Sequence, residues 1–192
     1  MLTNMKRGII CIETEWQITK KKNRLSLNSE PLLRFLDESY GIPFIYRRIA
    51  TQRELIYYLK QFCKNEYAKY EILYFSFHGQ THGIKLEGEK ELLSLNDLLA
   101  IGGDIFKNRI VHFSSCRTLL GSQKSIDVFK DNSGAKAVSG YTKSVDSVLS
   151  AIHDIALFRE CQERKQIPAI FRRLESMQEG LQKELGFRTH SY

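Results

Sequence analysis

The chain has 192 residues, of which 42% are hydrophobic and 27% charged, a composition that fits one soluble domain with a sizeable core. No apolar run approaches the roughly 20 residues that span a bilayer, and the first residues do not resemble a secretion signal. The net charge of +7 permits contact with an acidic partner and does not prove one. We therefore expect a cytoplasmic protein without a membrane partner.

Four widely spaced cysteines form no CxxC pair, which favours a reduced setting and argues against a zinc site. We expect Cys11 and Cys63 to be core residues, because free cysteine is among the most buried residue types. No GxGxxG follows the first strand and no GxxxxGK[ST] occurs, so we expect no nucleotide and no other cofactor. The basic cluster Lys20–Arg24 has no interleaved aromatic residues and predicts a solvated loop, so direct nucleic-acid binding is not expected.

Short apolar runs predict strands, and capped amphipathic stretches predict helices. In the first part of the chain these are a strand at 8–12, a helix from Ser29 with Pro31 in its first turn and Gly41 at its end, a strand at 43–46, a helix capped by Thr51, and a strand at 72–77. The second part begins with a hairpin between Gly79 and Leu93, a helix from Ser94 to Gly102-Gly103 and a strand at 110–115. A helix at 122–130 and a strand at 135–140 follow. The last two elements are a helix from Asp146 or Ser147 through Val148, Ile152, Ile155 and Ala156, and a helix from Pro168 followed by a tail with His190.

Strands that alternate with helices predict an α/β fold, a three-layer sandwich whose mainly parallel sheet is doubly wound. The hairpin is a small addition after the loop that carries His78. We expect a single domain over residues 1–192, with a core at about 7–160 and a C-terminal helix at about 167–185.

Two chemically distinctive residues each end a strand of this sheet. His78 follows the run Ile72–Phe77, and Cys116 follows the run Ile110–Ser115. Functional groups of open parallel sheets gather at the carboxyl ends of the strands, so we expect both side chains at one edge. A cysteine and a histidine brought together in space predict a nucleophile and its general base.

Glycine and small residues around this pair suggest how an intermediate is held. Gly79 lets the backbone approach a substrate closely, and its N–H together with that of Cys116 predicts an oxyanion hole. The His78 imidazole and a helix that starts a few residues after Cys116 would favour the thiolate. No third residue is obvious, and a backbone carbonyl is an alternative partner for His78. His82 is a rival base in the same loop, whereas His112 lies inside a strand and predicts a core or interface residue.

The two blocks resemble the caspase-like cysteine peptidases of clan CD, which include caspases, metacaspases, gingipains, clostripain, separase and bacterial CHAT-domain proteases. Ser114-Ser115-Cys116-Arg117-Thr118 resembles the caspase block Gln-Ala-Cys-Arg-Gly with Gln and Gly replaced, and Phe75–Gln80 resembles the apolar-Ser-x-His-Gly segment. Gly134–Tyr141 followed by Ser144–Asp146 resembles the CHAT and separase-type members. The resemblance covers about residues 7–160 and implies a hydrolase with a His-Cys dyad that cleaves a protein or peptide substrate. It also implies a prokaryotic defence or stress effector, for which a regulatory sensor protein is a plausible partner.

The resemblance further implies where the substrate side chain is recognised. Caspases hold an aspartate with arginines, one of them just after the first strand, where this chain has Glu13 and Glu15. By resemblance to separase-like members, Asp146 lies in the pocket for the residue before the scissile bond. Acidic groups there favour lysine or arginine, since a desolvated charge needs an opposite partner. Asp146 is equally well placed to cap the helix beginning at Ser147, and the two roles are compatible.

Two other functions stay open at this stage. One is a catalytically silent caspase-like module that binds other proteins. The other is a basic α/β protein that binds nucleic acid, which predicts a contiguous cationic face and strong salt dependence of binding.

Overall fold

A six-stranded sheet forms the centre of the computed structural model, which describes residues 6–15 and 28–191. The strands in chain order are Ile9–Glu13 (β1), Phe44–Arg48 (β2), Ile72–Ser76 (β3), His78–Gln80 (β4), Gly83–Lys85 (β5), Leu93–Ser94 (β6), Ile110–Phe113 (β7), Ala137–Tyr141 (β8) and Phe187–Ser191 (β9). The helices are Glu30–Tyr40 (α1), Gln52–Phe62 (α2), Leu95–Gly102 (α3), Gln123–Ser133 (α4), Ser147–Glu163 (α5) and Ile167–Leu185 (α6), with 3-10 turns at Asn65–Tyr67 and Gly103–Phe106. The basic cluster Lys20–Arg24 lies outside the described residues.

The sheet order is β2-β1-β3-β7-β8-β9, and all neighbours are parallel except β8 and β9. Strands β4, β5 and β6 form a separate small antiparallel sheet directly after β3. The mainly parallel α/β fold with an added hairpin is confirmed. The prediction of a tail after the last helix is wrong, because residues 187–191 form the antiparallel edge strand β9.

Both faces of the main sheet are covered, which gives three layers. Alternate residues of each strand point to opposite faces, so that in β3 Leu73 packs in one core and Tyr74 in the other. Helices α2, α3 and α4 cover the first face, and α1, α5 and α6 cover the second. Each fully buried leucine or phenylalanine in these layers contributes about 1.5–3 kcal/mol.

Side-chain caps fix where several helices start. Thr51 and Ser94 each accept the N–H three residues on and form capping boxes with Glu54 and Asp97. Ser29 occupies the predicted cap position of α1, but its hydroxyl donates to Glu13 instead. None of the described helices is long and apolar enough to cross a membrane.

One of the packing predictions is wrong. Cys63 is exposed at the end of α2, whereas Cys11 is buried as predicted. In α5, Val148 and Ile152 are 64% and 48% exposed, and the buried face carries polar as well as apolar side chains. That buried face consists of Ser150, His153, Asp154, Leu157, Phe158, Glu160 and Cys161.

Candidate active site

His78 and Cys116 line the same cleft, which has a volume of about 410 Å³. The cleft lies at the carboxyl ends of β3 and β7, which are neighbouring parallel strands. Its other walls come from the start of α1 and from the loop and first turn of α5. The geometry therefore brings the two sequence-predicted reactive residues to one place.

A backbone carbonyl holds the His78 ring. Nε2 of His78 lies 2.9 Å from the carbonyl oxygen of Glu15. Because a carbonyl oxygen only accepts hydrogen bonds, Nε2 carries the proton, and Nδ1 is the acceptor in the neutral ring. The ring is therefore held in the tautomer whose Nδ1 carries no proton and can accept one, as a general base must. The backbone carbonyl predicted as an alternative partner for His78 is present.

The Cys116 sulfur receives a backbone hydrogen bond from the loop before α5. Val145 donates its N–H to Sγ over 3.4 Å. The N-terminus of α5 begins two residues further on. The sequence predicted the His78 imidazole and a helix after Cys116 as neighbours of the sulfur, and the described hydrogen bond to Sγ comes from the loop before α5. Arg117 has a φ of +58°, so the chain turns sharply directly after the sulfur.

Gly79 packs directly against the backbone of the cysteine segment. A Cβ atom at Gly79 would overlap the carbonyl oxygen of Cys116 and Oγ1 of Thr118, and would lie 2.9 Å from Cβ of Ser115. Only glycine allows this approach. The close contact fixes the distance between the His78-Gly79 segment and the Ser115-Cys116 segment. The roles of the Gly79 and Cys116 N–H groups in an oxyanion hole stay predictions.

We expect Gly79→Ala to destabilise the fold by at least about 1–3 kcal/mol, because backbone at the cysteine must shift to make room. Gly180→Ala is the matched control: Gly180 lies in α6 with open space around its Cα, so added helix propensity makes that variant neutral or more stable. Urea unfolding of both variants measures the difference. Equal stability of the two variants would contradict the close contact.

The three acidic residues predicted for substrate binding lie in different environments. The described lining of the cleft includes Asp146 but neither Glu13 nor Glu15. The buried Glu13 carboxylate accepts hydrogen bonds from Ser29 and Ser76. Glu15 is buried and forms an ion pair with Arg48. The substrate roles of Glu13 and Glu15 stay predictions, and their described contacts support the local structure.

Asp146 is exposed at the rim and caps α5. Its Oδ1 accepts the N–H groups of Val148 and Leu149 at 2.9 and 3.0 Å. The helix-cap role is therefore present, and a specificity role at the same position stays a prediction.

His82 is placed away from the described lining of the cleft. It lies in the turn between β4 and β5, where its N–H donates to the Thr118 carbonyl. A Cβ atom at Gly121 would lie 2.5 Å from its Nε2, so the ring packs against that backbone. This placement favours His78 over His82 as the base.

A buried carboxylate beneath the cleft escaped the sequence analysis. Asp154 in α5 is fully buried and accepts hydrogen bonds from His112, Tyr141, Tyr74 and Ser114. Its burial raises the pKa, but the charge and hydrogen bond of His112 outweigh this and keep the pKa of Asp154 below its ordinary value. His112 is a core residue, as one of the two predicted alternatives stated. The sequence shows only that Asp154 shares a helix face with Ser150 and Leu157, a spacing that does not predict the burial of its carboxylate.

Comparison with known proteins gives the fold and a family. A solved structure described as "structure of pro-sf-caspase-1" is similar, with a TM-score of 0.59 and 11% sequence identity over 97% of this chain and 91% of that chain. At this identity the likeness shows a caspase-like fold. A search of curated proteins finds no match. A family model matches residues 6–191, and the chain therefore belongs to the family of unknown function DUF6642.

Proposed function

We propose that this chain is a cysteine endopeptidase with His78 and Cys116 as its catalytic dyad. The observation that carries the proposal is their shared cleft at the ends of two paired parallel strands, with the His78 ring held by the Glu15 carbonyl. A nucleophile and a base at such an edge, with the base oriented by a third group, have the arrangement that covalent catalysis requires. The caspase-like fold also supports the proposal of a cysteine peptidase.

The chemistry follows from these groups. Nδ1 of His78 takes the thiol proton, and the Cys116 sulfur attacks the carbonyl carbon of the scissile peptide bond. The resulting oxyanion accepts hydrogen bonds from the N–H groups of Gly79 and Cys116. When the intermediate collapses, the C–N bond breaks and His78 returns its proton to the leaving amine. Water, deprotonated by the same ring, then hydrolyses the thioester and releases the acid and the free thiol.

The surface on both sides of Cys116 supports an extended polypeptide as substrate. Cys116 lines the main cleft and also a second depression that contains Gly79, Gln80 and Arg117. An extended chain lying across Cys116 would occupy both depressions. This surface supports a protein or peptide substrate that is cut within its chain. The CHAT or separase-like type belongs to the proposal through the resemblance of the sequence segments alone.

Specificity for a basic residue before the scissile bond belongs to the same proposal, with Asp146 at the rim as one determinant. We expect Asp146→Asn to raise KM about two- to fivefold for peptides ending in arginine, the range for an exposed charge pair. Asparagine is as good a helix cap as aspartate, so the stability of α5 is retained and the effect reports charge alone. Initial rates on matched arginine and glutamine peptides measure it. An equal rise in KM for both peptides would exclude a charge-specific role.

The direct test of the proposed function is covalent labelling. A peptidyl acyloxymethyl ketone with arginine at its recognition position should modify Cys116, located by mass spectrometry, faster than its aspartate counterpart. The exposed Cys63 is an internal control for non-specific alkylation. Labelling of Cys63 and Cys116 at equal rates would contradict a dyad-activated thiol.

A further inference from the structure

Two hydroxyl-bearing residues line the cleft that contains Cys116. Tyr74 in β3 and Ser114 after β7 both line it. Their hydroxyls donate to the same oxygen, Oδ2 of Asp154, over 2.8 and 2.7 Å. We call Tyr74 and Ser114 the hydroxyl floor.

The direction of these hydrogen bonds is fixed by Asp154. A carboxylate has no proton to give, so both hydroxyls must be the donors. Burial and the neighbouring Asp154 carboxylate raise the pKa of Tyr74, so the phenol keeps its proton. The same directions hold for either protonation state of His112, because Nε2 of that ring donates to the other carboxylate oxygen in both.

A hydroxyl has one proton, and here it is already used. To a ligand in the cleft, the Tyr74 and Ser114 hydroxyls can therefore offer lone pairs only. A ligand carboxylate can only accept hydrogen bonds, and these hydroxyls have no proton left to donate to it. It would therefore lose its hydrogen bonds to water without gaining new ones. A guanidinium or ammonium group, which has several donors and no acceptor, matches the floor.

We propose that the hydroxyl floor binds the cationic side chain of the substrate, and that Asp154 is the positioning residue that turns both hydroxyls into acceptors. This inference rests on the proposed peptidase function and adds Tyr74, Ser114 and Asp154 to Asp146 as residues that select lysine or arginine. The remaining lining agrees with it. Leu32 and Val145 offer apolar surface for the methylene stem, and Ser150 and Ala151 leave room.

The test uses benzamidine, a small planar cation, and benzamide, its neutral near-isostere, titrated calorimetrically into the full chain. We expect benzamidine to bind at least about tenfold more tightly, and Ser114→Ala or Tyr74→Phe to weaken it about tenfold each, the value of one charge-assisted hydrogen bond. Benzamide binding should change little in either variant.

Ser139→Ala is the matched control. Ser139 lies within hydrogen-bond distance of Nδ1 of His112, so it belongs to the same buried network without being part of the described cleft lining. Its loss should lower thermal stability and leave benzamidine affinity unchanged. For Asp154→Asn, whose side-chain amide can donate to a hydroxyl, we expect the affinity ratio of benzamidine to benzamide to fall. A purely structural role of Asp154 would lower the melting temperature and leave that ratio intact.

Equal affinity of the wild type for the two probes, or no benzamidine binding, would overturn the proposal. So would undiminished benzamidine binding in both floor variants. Should the floor variants not fold, the wild-type ratio still decides, together with protection of Cys116 against iodoacetamide by benzamidine and not by benzamide. None of these readouts requires peptide cleavage, so a chain that binds benzamidine as expected but, even in an activated preparation, neither cuts peptides nor is labelled at Cys116 would refute the peptidase and leave the cation site standing.

Discussion

Replacing Cys116 by alanine is expected to abolish peptide cleavage while the chain stays folded. Without the sulfur no thioester forms, and loss of a nucleophile that acts as a unit with its base costs about 10⁴- to 10⁶-fold in kcat. The structural cost is small, because Cys116 is only partly buried and Sγ accepts a single described hydrogen bond, from Val145. Initial rates on a fluorogenic arginine peptide measure the first effect, and circular dichroism the second.

Cys63→Ala is the matched control for this experiment. Cys63 is exposed at the end of α2 and should be dispensable for cleavage. The remaining cysteines are poor candidates, since burial raises the pKa of Cys11 and raises that of Cys161 to about 12. Unaltered turnover by folded Cys116→Ala would falsify the cysteine-peptidase proposal. A wild-type chain that neither cleaves nor is labelled, even in an activated preparation, would instead favour the silent interaction module.

The placement of His78 and Cys116 in one cleft could be anticipated because strand ends are predictable features. His78 and Cys116 each directly follow an apolar run, and parallel strands bring their carboxyl ends to one edge of the sheet. The starts of two helices could also be predicted, at Thr51 and Ser94, because a helix cap is a local interaction within four residues. Features that depend on neighbouring residues in the chain, such as helix caps and the ends of apolar strands, can therefore be predicted from the sequence alone.

The edge strand and the buried face of α5 depend on distant partners and could not be anticipated. Strand β9 has no apolar alternation and pairs with β8 through its backbone, which any side-chain pattern permits. In α5, Asp154 is buried while Val148 is exposed, so the hydrophobic contrast of an ordinary surface helix is missing. Hydroxyls from β3 and β8, far away in the chain, donate hydrogen bonds to the Asp154 carboxylate and offset the cost of removing it from water.

The same limit applies to Glu13. Its position at the end of β1 suggests a cleft residue, yet its carboxylate accepts hydrogen bonds from Ser29 at the start of α1 and from Ser76 in β3. An anion at a helix N-terminus is stabilised by the free backbone N–H groups there. Glu13 thereby links two elements that border the cleft, a role that depends on a tertiary contact.

The second prediction with a large effect concerns His78 as the general base. We expect His78→Ala to lower kcat by at least about 100-fold, because general-base catalysis contributes about 10²- to 10⁴-fold. His82→Ala, from the same loop, should keep most of the activity, since His82 packs against Gly121 and lies outside the described cleft lining. Steady-state rates of both variants on one arginine peptide give the comparison.

His78→Gln separates the chemical role of the ring from its contact with Glu15. The glutamine amide can still donate to the Glu15 carbonyl but offers no basic nitrogen, so this variant should be as inactive as His78→Ala while retaining more stability. Iodoacetamide should also alkylate Cys116 more slowly in both His78 variants, because the thiolate loses its neighbouring base. An inactive His82→Ala beside an active His78→Ala would reverse the assignment of the base. The cleft and the nucleophile would survive that result, because Cys116 is placed there by β7 and by Val145, independently of either imidazole.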